Sequence, residues 1–176
     1  YQLKLLDAGN STCPGKVAFK LNTTEICSHS PITLHRWVHV AGSYDGSHMR
    51  LYVNGRLEHT LSYSTPIGVP NVDLEIGDTF QGAIDEVLVS GSGLDGRALA
   101  GRTSLWHLSF EETDISASAN NRSIYGGSFA MSGNTLPMVN SGLYGQALSF
   151  STTSQLDGAD MPSAPGADGL TVEAWV

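Results

Sequence analysis

The sequence predicts an all-β, antiparallel sandwich, and three observations carry that prediction. Short stretches in which side chains alternate between two faces recur along the whole chain, from YQLKLL at its start to LTVEAWV at its end. Turn chemistry separates them, with Asp45-Gly46 and Asn54-Gly55 supplying the positive φ that tight hairpin turns require. No stretch sustains a helical period of apolar residues, so strands packed face to face are the architecture left.

YQLKLL alternates from its first residue, with Tyr1, Leu3 and Leu5 on one side and Gln2 and Lys4 on the other. KVAFKLN and TEIC form a hairpin that turns near Asn22 and Thr23. RWVHVAGSY and HMRLYV are joined through Asp45-Gly46, and Asn54-Gly55 then leads into RLEHTL, so residues 36 to 61 make a three-stranded meander. A loop punctuated by Pro66 and Pro70 precedes LEIG and GAIDEVLVS, and GLDGRALAGRT reads as a Gly-rich connector with one helical turn around Arg97 to Ala100. SLWHLSF opens a new strand, Glu111 to Gly127 reads as polar loop, and YGQALSF and LTVEAWV are further strands. In LTVEAWV, Leu170, Val172, Ala174 and Val176 share one face and Trp175 lies on the other, the pattern of a strand buried on both sides.

Composition bounds the class. With 176 residues the chain is long enough for one sizeable core, and no run approaches the roughly 18 apolar residues that a membrane span needs. A net charge of −8 disfavours a nucleic-acid partner, which requires a cationic surface, and leaves divalent cations as the ions such a surface attracts. Cys13 and Cys27 are the only cysteines, and Asn-x-Ser/Thr sequons occur at Asn10, Asn22 and Asn121, where chance would place about one. Together they predict a secreted, extracellular, glycosylated protein with a Cys13–Cys27 disulfide that contributes about 3 kcal/mol.

Several of these motifs, taken together, resemble a known family. RWVHVAGSYDG, MRLYVNG, LEIG and GAIDEVLVS, in that order, look like the C-terminal half of a laminin G-like jelly roll, of the concanavalin A-like lectin/glucanase superfamily. SLWHLSFEE, SGLYGQALSF and LTVEAWV look like the N-terminal half of such a domain. The resemblance implies a two-sheet antiparallel jelly roll with its halves in swapped order: residues 1–99 as the C-terminal half of one domain, 100–104 as connector, and 105–176 as the N-terminal half of the next. Each half alone leaves strand edges unpaired and an apolar face uncovered. Either both close into one circularly permuted jelly roll, or the second half of one copy completes the first half of the next, a head-to-tail contact that propagates into a filament. A chain that opens on Tyr1 suits a piece of a tandem array. The short strand that the family usually carries between its TVEAWV-like and YQLKL-like strands has no counterpart here. LTVEAWV is expected to pack against HVAGSY and RLYV, with Trp175 in the core.

The chemistry of the motifs points to binding. Glucanases of this superfamily hold two carboxylates on one face of a strand as Glu-x-Asp-x-x-Glu, whereas AIDEVLVS offers only Asp85 and Glu86, adjacent and so directed to opposite faces. The reading is therefore non-enzymatic. The resemblance also implies calcium, a hard cation that takes six to eight oxygens: the nearest equivalents of the family's early loop are Asp114, Ser116 and Asn120, with Asp85 as a further candidate, although Asp85 equally suits satisfying buried backbone donors. His35 and His39, four apart on the predicted strand and on the face of Trp37, lack a third metal ligand nearby in sequence. Trp37, Trp106 and Trp175 are together candidates for a sugar-stacking platform, but Trp37 and Trp175 match core positions of the family and are expected in the core, with Trp106 open between the two roles. The expected function is a structural or adhesive repeat whose partners are other copies or repeats of the same protein and extracellular glycans or proteins. The alternative is a carbohydrate-binding lectin module that depends on calcium.

Overall fold

The structure is a computed structural model. It describes residues 1–67, 74–91, 93, 104–110, 118–120, 128–133, 138–143, 145–151, 153–158 and 169–176; for 74, 104–106, 118–120, 128–133, 138–141 and 158 it describes the backbone alone. Every regular element among the described residues is a strand, and every pairing is antiparallel.

The strands are β1 (Gln2–Leu5), β2 (Val17–Leu21), β3 (Thr24–Cys27), β4 (His39–Tyr44), β5 (His48–Val53), β6 (Arg56–Ser62), β7 (Leu74–Ile76) and β8 (Gly82–Ser90). They continue with β9 (Ser104–Leu108), β10 (Ser118–Asn120), β11 (Ser128–Gly133), β12 (Met138–Gly142), β13 (Gly145–Phe150), β14 (Ser154–Gly158) and β15 (Leu170–Trp175). An eight-stranded sheet runs β12-β13-β8-β15-β4-β5-β6, with β9 also paired to β8. A three-stranded sheet, β1-β2-β3, and a four-stranded sheet, β10-β11-β14-β7, complete the fold.

The first half follows the predicted turns. Asn22, at φ 49°, turns β2 into β3, while Asn54 and Gly55, at φ 51° and 73°, turn β5 into β6 with the twist that hairpins favour. Between β4 and β5, Asp45 Oδ1 accepts the backbone N–H groups of Ser47 (2.9 Å) and His48 (2.8 Å), and Oδ2 accepts Arg50 Nη1 at 2.6 Å. Partial burial works to raise the Asp45 pKa, but the Arg50 guanidinium and the Ser47 and His48 donors outweigh it and hold the carboxyl well below the usual range. Cys13 and Cys27 form a disulfide that staples the loop before β2 to the end of β3.

Phe19, Leu21, Met49, Leu51, Leu108, Phe110, Leu148 and Leu156 are all fully buried, and one apolar cluster joins residues of all three sheets. The fit is close where the small and large sheets meet. The Phe19 ring of β2 lies over Gly42 of β4, where a Cβ would sit 2.3 Å from Cδ2, and only the missing side chain makes room for the ring. Gly77, at φ 86°, lies under Phe150 of β13 in the same way.

β15 enters the middle of the large sheet. It pairs with β4 from Leu170↔Tyr44 to Trp175↔His39 and with β8 from Thr171↔Ser90 to Trp175↔Asp85. Val38 and Val176 exchange two more backbone bonds, of 2.7 and 2.9 Å, beyond its end. Both edges of this strand are thus paired within its own chain, and strands from the two halves share one sheet and one core. The expectation that LTVEAWV packs against the meander is corrected in one respect: it lies beside β4 as a neighbour in the same sheet.

Three further expectations differ. β4 starts at His39, because Leu34 to Arg36 form a turn in which exposed His35 has φ 62°, so His35 and His39 do not share a strand face. β10 lies inside the stretch read as polar loop, and β11, β12 and β14 were not anticipated. Their sequences (SAN, SFAMSG, MVNSG and SQLDG) carry little alternation, and they are strands through pairing with neighbours. The Arg97 to Ala100 connector lies outside the described residues.

Candidate functional site

Period-2 alternation puts Leu170, Val172 and Ala174 of β15 on the core side, so Thr171, Glu173 and Trp175 must face the other way. Trp175 is accordingly half-buried on the outer face, which corrects its expected place in the core; Trp37, just before β4, is half-buried too. The Trp106 side chain lies outside the described residues.

Register then brings distant residues to Trp175 and Glu173. His39 of β4 is the direct cross-strand partner of Trp175, and their rings lie 5.1 Å apart, tilted by 58°. Asn54, in the hairpin turn, fixes this end of β4: its Oδ1 accepts His39 N–H at 3.0 Å, and its own N–H donates to the His39 carbonyl at 2.8 Å. On the other edge Leu88 of β8 is opposite Glu173, and His107 of β9 is opposite Leu88.

A bulge in β8 completes the group. From Leu88↔Glu173 to Asp85↔Trp175, β8 advances three residues while β15 advances two, and Glu86 takes φ 50° there. The Glu86 carboxylate accepts His107 Nε2 at 2.9 Å. Asp85 is completely buried: its Oδ1 accepts the Glu86 N–H at 2.8 Å, and its Oδ2 accepts the Leu143 N–H, beside the β12–β13 turn, at 3.0 Å. This is the role of satisfying buried backbone donors.

His39, Glu86, Leu88, His107, Glu173 and Trp175 line one open cavity of ≈ 310 Å³. It holds two histidine–carboxylate pairs that differ. His107–Glu86 is a well-formed hydrogen bond. His39 Nε2 stands 3.3 Å from Glu173 Oε2, but that oxygen is buried with no aligned hydrogen bond, in a residue only 9% exposed. A carboxylate desolvated to that degree without full hydrogen bonding is costly, and an incoming donor would relieve the cost. Aromatic face, apolar Leu88 and polar groups around one concavity suit a ligand that is part apolar and part hydroxylated.

Of the residues singled out by sequence, Asp85 lies beneath this face, committed to amide donors. Asp114, Ser116 and Asn121 lie outside the described residues, and of Asn120 the backbone alone is described. Among the described residues no group of three or more His, Cys, Asp or Glu side chains is disposed to hold a metal ion. Asn10 Oδ1 accepts the N–H groups of Thr12 (3.0 Å) and Cys13 (2.8 Å), whereas Asn22 Nδ2 donates to Tyr63 Oη (2.9 Å) and Pro66 O (3.1 Å). Glu173 and His107 were missed because nothing in their local sequence signals a site; the strand alternation places them outward, but only strand order brings them together.

The model of a laminin G-type family, described as concanavalin A-like lectin/glucanases superfamily, matches residues 1–98, more than half of the chain. No curated protein matches, and no solved structure matches. The antiparallel sandwich, the shared core and this match agree with the resemblance read from the motifs, and the chain belongs to the concanavalin A-like lectin/glucanase superfamily.

Proposed function

We propose that this chain is an extracellular carbohydrate-binding module whose recognition site is the cavity on the outer face of the large sheet. Family membership supports a structural or carbohydrate-binding module in general, and with the disulfide it suggests an extracellular setting. The observation that favours recognition is the juxtaposition of Trp175 and His39 with Glu173, Glu86 and His107 around one open concavity. Binding is the proposed activity, not turnover: the cavity holds a ring to stack on the apolar side of a pyranose and carboxylates to accept its hydroxyls. A glycan array with the intact chain, repeated with Trp175→Ala, tests it. Selective binding that the variant loses is expected; a wild type that retains no glycan would overturn the reading. A chelator arm in the same assay tests calcium dependence, which stands as a separate proposal.

A second reading keeps the tandem, adhesive repeat. It draws on the placement of β15, whose ladders to β4 and β8 would be the same if made between copies. Light scattering and electron microscopy of the purified chain decide it: filaments or concentration-dependent oligomers are expected, and a strictly monomeric particle removes it.

A further inference from the structure

We infer that the cavity accepts a neutral, hydroxyl-rich glycan terminus and rejects anionic glycans, with Glu173 as the acceptor that a ligand hydroxyl completes. The inference rests on the carbohydrate-binding reading and specifies its ligand.

Three features carry it. The first is the state of Glu173. Its Oε2 is buried and lacks an aligned hydrogen bond, while the residue opens onto the cavity between Trp175 and Leu88. A carboxylate is acceptor-only when ionised, so what it lacks is a donor, and a sugar hydroxyl is one. Glu86 is different, since it already accepts His107 Nε2 at 2.9 Å.

The second is charge. The described lining contains two carboxylates and neither lysine nor arginine, on a chain of net charge −8. Sialylated or sulfated termini need cationic or bidentate partners, and here they would bring like charge against Glu86 and Glu173. His107 does not supply that partner freely, because its Nε2 is hydrogen-bonded to Glu86, and His39 Nε2 lies 3.3 Å from the Glu173 carboxylate without forming an aligned hydrogen bond to it.

The third is shape. A space of ≈ 310 Å³ lies at the small end of the range for ligand sites, which suits a short terminal sugar. The Trp175 ring, tilted against His39 and two residues from Glu173 on the same strand face, offers the apolar side of a pyranose a surface beside the Glu173 carboxylate, whose buried Oε2 a hydroxyl completes once the side chain turns toward the cavity.

The experiment is a binding titration of the intact chain against galactose-, mannose- and N-acetyllactosamine-terminated oligosaccharides and their sialylated and sulfated forms, repeated with Glu173→Gln. Neutral termini are expected to bind at least about tenfold more tightly than their acidic forms, and the variant to lose about tenfold or more for the neutral ones. Preferential binding of sialylated or sulfated termini would overturn this inference and leave the carbohydrate-binding reading intact. Binding of none would remove both. Neutral binding that Glu173→Gln leaves unchanged would also overturn it. Should the variant fail to fold, the preference of the wild type between neutral and acidic termini decides alone.

Discussion

On its inner side β15 presents Leu170 and Ala174, 3% and 8% exposed, to a core shared by all three sheets; on its outer side the same six residues present Thr171, Glu173 and Trp175. The inner face is satisfied by shape. Its contacts are apolar, its fit is tight enough that Gly42 must lack a side chain under Phe19, and nothing there asks for a partner. The outer face is satisfied only in part, because Glu173 is buried almost as deeply as Ala174 and yet lacks a full set of hydrogen bonds. Folding alone accounts for the first face, whereas the second retains an acceptor that folding leaves without a donor.

This contrast is broken most severely from the inside. Phe19→Ala removes a fully buried ring from the junction of two sheets and is expected to cost about 4 kcal/mol in urea unfolding, with loss of folding at 37 °C as the extreme. Replacing Cys13 and Cys27 together by Ser releases a loop with a separation of 14 residues, and a loss of about 3 kcal/mol is expected by the same measurement; an unchanged midpoint would show that the staple is redundant.

Asp85→Asn sharpens the contrast, since it alters a buried carboxylate that lies under the outer face. The amide keeps one acceptor but turns an NH₂ toward the backbone donors, so destabilisation of about 2 kcal/mol is expected from thermal unfolding. Asp45→Asn tests a turn remote from either face. Its folded pKa lies below its unfolded value, so its contribution is complete above the unfolded carboxylate pKa near about 4 and is lost as pH falls through the folded value. The variant should be about 1 kcal/mol less stable than wild type at pH 7, with the gap narrowing as the pH is lowered toward 2. Glu173→Gln is expected to do least to stability, within about 1 kcal/mol and in either direction, because it removes a desolvated charge together with an imperfect pairing. A large loss in that variant would mean that the outer face is structural after all.

Much of the first half was legible because its signals are local. Asn54-Gly55 specifies a hairpin through the positive φ of both residues, and HVAGSY, HMRLYV and RLEHTL then fall into register around it. β11, β12 and β14 were not legible, since SFAMSG, MVNSG and SQLDG become strands only where a neighbour supplies the other half of each ladder. The two tryptophans assigned to the core show the limit of a motif: alternation within LTVEAWV already separated Trp175 from Leu170, Val172 and Ala174, and the structure follows the alternation.

The sequence by itself determined the all-β class, the tight turns, the cysteine pair and the inner face of β15, because turn conformation and two-residue periodicity are properties of neighbouring residues. Only the tertiary structure decided that β15 lies between β4 and β8, and hence that Glu173 meets His39 and stands one strand away from His107. Residues 39, 86, 107 and 173 are far apart along the chain, and it is the order of strands across the sheet, set by long-range pairing and core burial, that gathers them into one cavity.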